Sequence, residues 1–174
     1  MKKLVVLLSI LLGTTANAAN NTEHSEHKGT TKAPAFTLPL LANGQTSSLT
    51  EKVTLASYHG KVIYLDFWAS WCTPCRKSLP ALNLLRNELA DQGFEVLAIN
   101  LDESPEEGLE FLEEIPVDYP TLFDDSDTAA AYQLRGMPTA YLIDRDGNLQ
   151  AQHVGFNPKE LPSIRAAIVD LLEH

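Results

Sequence analysis

The segment from Val62 to Trp68, VIYLDFW, constrains this fold more than any other stretch of the chain. Seven nearly uninterrupted apolar residues leave no polar face, so the run reads as a strand buried on both sides. Such strands sit at the centre of parallel or mixed sheets covered by other layers. The run is entered through Gly60-Lys61 and left through Ala69-Ser70-Trp71 into Cys72-Thr73-Pro74-Cys75. From Thr73 to Asp91 the spacing of Leu79, Leu82, Leu85 and Leu89 predicts a helix, which Gly93 stops. Phe94 to Asn100 is apolar again and supplies the second strand of a crossover.

The remaining punctuation completes the outline. Phe36–Leu40 and Val53–Leu55 read as short strands around the Asn43-Gly44 turn. Ser104-Pro105-Glu106-Glu107 opens a helix with a capping residue, a proline at its first position and acids in its first turn. That helix runs to about Glu114, before Pro116. Asp125–Leu134 reads as a short helix, and Thr139–Asp144 and Asn148–Val154 as strands joined at Asp146-Gly147. Asn157-Pro158 caps a last helix whose Leu161, Ile164, Ile168, Leu171 and Leu172 face inward. The expectation is an α/β domain with one central mixed sheet flanked by helices on both faces. No internal repeat and no Gly-rich phosphate loop is visible.

The first residues read as an export signal: Lys2 and Lys3, the apolar run Leu4–Leu12, then Ala16-Asn17-Ala18 as a cleavage pattern. The run is about half the ~20 residues of a membrane span, and an uncleaved anchor is the alternative. Residues 19–32 are polar and expected to be a flexible tail, with the domain occupying 33–174. In that tail His24 and His27, beside Glu23 and Glu26, could hold a divalent metal loosely, though a plain spacer accounts for them as well. A formal charge of −10 argues against sequence-independent nucleic-acid binding, which needs a basic face. Export places the chain in an oxidising compartment.

Against that setting, both cysteines of the chain lie three residues apart where a buried strand turns into a helix. Cys72 is placed to cap the helix, where unpaired N–H groups and the positive dipole end favour a thiolate. Cys75 lies one turn on, within bonding reach. Three non-catalytic roles compete for this pair. A structural disulfide closing so small a ring contributes only roughly 2 kcal/mol. Structural zinc needs a second ligand pair, and His59 and His153 do not form one. Two ordinary buried cysteines would not need this turn. A redox-active dithiol fits best. Asp66, an acid inside the apolar strand, is a candidate to exchange a proton with Cys75; the competing possibility is a solvated Asp facing the sheet edge. Pro138, before a strand in Arg135-Gly136-Met137-Pro138-Thr139, would, if cis, present the Met137 backbone to an extended substrate. His59 and His153 read as surface or hairpin residues without a role.

Asp66-Phe67-Trp68-Ala69-Ser70-Trp71-Cys72-Thr73-Pro74-Cys75, together with Arg135–Thr139, resembles the thioredoxin superfamily. Ala33-Pro34, Gly60-Lys61-Val62, Cys75–Pro80 and Tyr141–Gly147 narrow the resemblance to exported TlpA/ResA-like thiol–disulfide oxidoreductases, over roughly residues 33–172. The resemblance implies a thioredoxin-like fold with an N-terminal β-hairpin extension and an inserted helix. It implies Cys72 as the attacking and Cys75 as the resolving cysteine, Asp66 as the buried acid, and Pro138 as a cis proline facing the disulfide. Trp68 and Trp71 match the flanking tryptophans, and Trp71, Thr73, Pro74, Met137 and Pro138 form the expected substrate-binding set.

Three departures stand out. Ser78 occupies a position where several cytochrome-maturation members carry an acid. Asp66 stands where many of this branch have Asn. Gln45–Lys52 exceeds the usual first hairpin.

The expected function is thiol–disulfide exchange, reducing disulfides of exported proteins in the periplasm, apocytochromes c among them. A membrane-embedded thiol transporter would supply electrons, with no cofactor, no metal site, and a monomer as the working unit. A disulfide-forming oxidant, a copper-site assembly chaperone using the same cysteines and a non-catalytic peptide-binding module are the alternatives.

Overall fold

A computed structural model describes residues 25–26, 31–44 and 46–174. The leader, His24 and His27 lie outside the described residues. The strands are β1 (Ser25–Glu26), β2 (Thr37–Asn43), β3 (Thr46–Thr54), β4 (Val62–Trp68), β5 (Phe94–Asn100), β6 (Pro120–Phe123), β7 (Thr139–Ile143) and β8 (Leu149–Val154). The helices are α1 (Cys75–Leu89), α2 (Pro105–Glu114), α3 (Thr128–Ala131) and α4 (Leu161–Glu173). All the strands join one mixed sheet in the order β1-β8-β7-β4-β5-β6-β2-β3. β4 runs parallel to β5 and antiparallel to β7. Every residue of β4 and of β5 is buried, as their unbroken apolar sequence requires.

The alternation of β4 divides the interior. Val62, Tyr64 and Trp68 face a core completed by α1, α2 and α4. Ile63, Leu65 and Phe67 face a second core with Phe36, Tyr132 and Tyr141. That second face is covered by α3, the 3₁₀ turn Leu55–Tyr58 and the approach to β2 rather than by a long helix. The mixed, helix-flanked sheet expected from the sequence is therefore present, with its helices concentrated on one side.

Four local differences have physical reasons. β6 is a strand the sequence did not signal: it is four residues long and opens on Pro120, and only its place between β5 and β2 makes it a strand. The hairpin strands are longer than predicted, because the polar stretch 46–52 is the exposed edge strand β3 rather than a loop. α3 has one turn instead of the predicted span Asp125–Leu134. Asp127 and Gln133 adopt left-handed φ on either side of it, and Asp124 caps it by accepting from the N–H groups of Thr128 and Ala129 at 2.9 Å each. Ser104 precedes α2 in extended conformation but its side chain makes no cap bond, so Pro105 and the acidic first turn start that helix unaided. Within the segment read as a tail, Ser25–Glu26 pair with Ala151 and Gln152 of β8, and Lys32 bridges Asn148.

Candidate active site

β4 ends at Trp68, and the chain turns sharply before α1. Leu101 N–H donates to the Trp68 carbonyl at 2.9 Å, and Cys72 N–H to the Ala69 carbonyl at 3.1 Å. α1 begins at Cys75, two residues later than the leucine spacing predicts, with Pro74 as its N-cap. Cys72 therefore stands ahead of the first turn rather than at the cap, and its carbonyl accepts from Cys75 N–H at 3.0 Å. Thr73 and Pro74, both exposed, form the intervening turn. The two cysteines are joined as a disulfide with their Cα atoms 5.3 Å apart. Cys72 retains 4% of its surface and Cys75 none.

The disulfide opens on a groove of about 560 Å³. Trp71, Cys72, Thr73 and Pro74 line it together with Leu101, Ala129, Leu134, Gly136 and Met137. The lining carries no charged side chain, so the groove suits an apolar or uncharged stretch of polypeptide. Trp71 is 66% exposed, a large aromatic left in water beside a reactive pair. The Met137–Pro138 peptide bond is cis. Pro138 is buried and does not line the groove, and its carbonyl accepts from Gly155 N–H at 2.7 Å. Of the sequence-predicted binding residues, Trp71, Thr73, Pro74 and Met137 thus meet at one surface, and Pro138, next to Met137 in the chain, is not among the residues that line it.

Asp66 lies on the β4 face that packs against α1, between Tyr64 and Trp68, and is 2% exposed. An edge-facing, solvated position is thereby excluded. One carboxylate oxygen, Oδ2, has no hydrogen-bond partner, and burial holds the carboxyl well above the usual carboxylate range. The Trp68 indole N–H is likewise unpartnered, its ring tilted against Phe111 at 5.1 Å. Ser78, buried near the start of α1, donates to the Cys75 carbonyl at 3.4 Å. Among the described residues no cluster of three or more His, Cys, Asp or Glu could hold a metal.

Two features of the site carry no clear signal in the sequence. Asp102, just past β5, accepts from Ser70 and Asn100 and ties down the turn ahead of Cys72. A hint is available in Ser70 and Asp102 flanking the C-terminal ends of adjacent parallel strands. His153, read as a surface or hairpin residue, does lie in the β7–β8 hairpin but is only 7% exposed and stacked on Tyr64. Its place on β8 is visible only once β8 is set beside β7.

A mixed sheet whose buried central strand delivers a disulfide to the start of a helix, facing an uncharged groove, defines a thioredoxin-like thiol–disulfide oxidoreductase. Comparison with known proteins gives the narrower assignment. Residues 30–152 match the AhpC/TSA family, and the chain belongs to it. It is 32% identical to the thioredoxin-like protein YneN of Bacillus subtilis, covering 89% of this chain and 90% of that one. To the thiol–disulfide oxidoreductase ResA of Geobacillus thermodenitrificans it is 33% identical, over 90% of this chain and 87% of the other. Among solved structures, a putative thiol:disulfide interchange protein DsbE from Chlorobium tepidum superposes with a TM-score of 0.75 and 41% identity, covering 85% of this chain and 99% of that one.

Proposed function

We propose that this protein is a reductant of disulfides in exported proteins, with apocytochromes c before haem attachment as a client class. Cys72 attacks the substrate disulfide, forming a mixed disulfide and releasing one substrate thiol. Asp66 takes the proton of Cys75, whose thiolate attacks Cys72 Sγ, regenerates the Cys72–Cys75 disulfide and releases the second substrate thiol. Two electrons pass from the dithiol to the substrate, and a membrane thiol donor restores them. Trp71, Thr73, Pro74 and Met137 hold the substrate chain, with Pro138 next to Met137.

One observation carries the division of labour: Cys72 lines the groove, whereas Cys75 is fully buried in the core under the β4 face on which Asp66 lies. Export to the periplasm is supported by the leader-like first residues. Among the described residues no helix is long and apolar enough to cross a membrane.

The deciding experiment equilibrates the Cys72–Cys75 couple against graded thiol/disulfide buffers. A potential near about −270 mV, as in thioredoxin, is the expected result. A value near about −120 mV, that of a strong disulfide-forming oxidant, would reverse the direction of electron flow.

A further inference from the structure

The groups around the Asp66 carboxyl form a line across the sheet. Strand register places Ala98 of β5, Asp66 of β4, Ala140 of β7 and His153 of β8 side by side. Ala98 and Ala140 both belong to the core under α1, so this row faces the layer that contains Cys75. Ala140 alone stands between Asp66 and His153 in this row, and His153 is two strands away, about 10 Å distant at the Cα atoms. Tyr64, two residues from Asp66 on the same face, closes the diagonal. Its ring stacks on the imidazole at 5.7 Å, and its hydroxyl lies 3.1 Å from His153 Nδ1. The Tyr64 and Asp66 groups sense one another, since the carboxylate adds to the burial that holds the Tyr64 phenol high.

Among the described residues, few other titratable groups lie along this row; on β1, beside β8, Glu26 stands in register with Ala151, two residues from His153. Cys75 arrives from α1, Tyr119 from the approach to β6, and Glu160 from the turn ahead of α4, where it acts on Tyr64. Tyr119 donates its hydroxyl to the Leu79 carbonyl at 3.1 Å. Among the described residues, burial is the cause that raises Asp66.

We propose that His153 is a positioning residue for the Asp66 proton: across Ala140 and through Tyr64 its imidazole can take up positive charge opposite the carboxylate, so the two titrate as a coupled pair and set the pH range in which Cys75 is deprotonated. His153 touches neither sulfur and acts through Asp66. A protonated imidazole favours the ionised carboxylate, which is the form able to accept the Cys75 proton. The Cys75 thiolate then breaks the Cys72–substrate bond as the intramolecular disulfide forms. The inference rests on Asp66 serving as that acceptor.

The test follows the His153 imidazole by NMR during pH titration of the reduced full chain, native and Asp66→Asn. Removing the carboxylate should lower the His153 midpoint by about one pH unit. Coupling is reciprocal, so His153→Gln, which keeps a partner for Tyr64, should raise the pH midpoint of Cys75-dependent substrate release by a similar amount. An unchanged His153 midpoint in Asp66→Asn overturns the proposal, and that measurement stands even if His153→Gln does not fold. A His153 midpoint that moves while Asp66→Asn releases substrate at the native rate leaves the coupling intact and removes Asp66 as proton acceptor.

Discussion

Asp102 and Ser70 are joined by three hydrogen bonds: the Ser70 N–H lies 3.0 Å from both carboxylate oxygens, and the Ser70 hydroxyl donates to Oδ1 at 2.9 Å. Asn100 adds a fourth bond at 2.7 Å. The carboxylate is 6% exposed, so these donors replace the water it loses. Because Ser70 is two residues before Cys72, the bond set fixes the path by which the buried strand reaches the disulfide.

Replacing Asp102 by Ala leaves the Ser70 and Asn100 donors without their acceptor. Hydrogen bonds to a charged group are each worth about 1.5–3 kcal/mol, and part of the loss is recovered by solvent. A cost of about 2–3 kcal/mol corresponds to a melting point lower by roughly 4–12 °C in a domain of this size. Calorimetry of the oxidised protein checks this. A melting point within error of the native one would show that the turn is held by other contacts.

Asp66→Asn should stabilise the fold, and increasingly so as pH rises. Burial raises the folded-state proton affinity of Asp66 above its unfolded value. In the window above the unfolded pKa of about 3.9 the native state therefore binds more protons than the unfolded one, and native stability falls with rising pH. Asparagine removes that dependence. Urea denaturation should give nearly equal stabilities for the two proteins near pH 4 and an advantage for Asn at pH 8. A gap that is constant with pH would mean that Asp66 ionises freely in the fold.

Gly93 and Arg145 should interact in a double-mutant cycle. Gly93 has φ of +95°, and a Cβ there would sit 2.9 Å from Arg145 Nη1. Arg145 in turn donates to the carbonyls of Gly60, Leu172 and Gln92 at 2.8, 3.1 and 3.3 Å, tying three chain segments together. Gly93→Ala should cost about 1–2 kcal/mol from the left-handed backbone, plus the displaced guanidinium. Arg145→Ala loses the three bonds but opens the space, so the double variant should be less destabilised than the sum by about 0.5–1 kcal/mol. Strict additivity in chemical denaturation would show that the arginine moves aside without cost.

Trp71→Ala should separate protein substrates from small ones. The exposed indole forms a groove wall but is not needed to bring the two sulfurs together. Loss of one aromatic anchor is worth about 1.4 kcal/mol, so kcat/KM for a disulfide-bearing protein should fall about tenfold. Reaction with a small disulfide should stay near the native rate. Equal losses for both would place Trp71 in the sulfur chemistry itself.

Much of this architecture is legible in the sequence because its determinants are local. The apolar run Val62–Trp68 reads as an interior strand, and the place of Cys72 and Cys75 at its helical exit puts them within bonding reach of one another. Gly93 takes a left-handed φ where a stop is expected, whereas Asn157, expected to cap the last helix, caps the 3₁₀ turn Pro158–Glu160 by accepting from Lys159 N–H at 3.1 Å, and α4 starts only after that turn. β6 is not legible, since four residues opening on proline become a strand only by lying between β5 and β2. The extent of α3 is hidden for a related reason, because left-handed residues at Asp127 and Gln133 carry no signature as strong as glycine.

Hydrophobic periodicity and cysteine placement act within a few residues, so the sequence by itself determined the central strand, the helix that follows it and the position of Cys72 and Cys75 between them. Whatever depends on lateral order in the sheet was decided by the tertiary structure alone. Asp66 became a buried acid rather than an edge one when β5 and β7 closed on either side of β4. His153 reached the Tyr64 hydroxyl because β8 packs beside β7 in one register, and a shift of one residue would have turned it to the opposite face. Backbone pairing between strands far apart in sequence fixes which side chains share a face, and no local pattern encodes that choice.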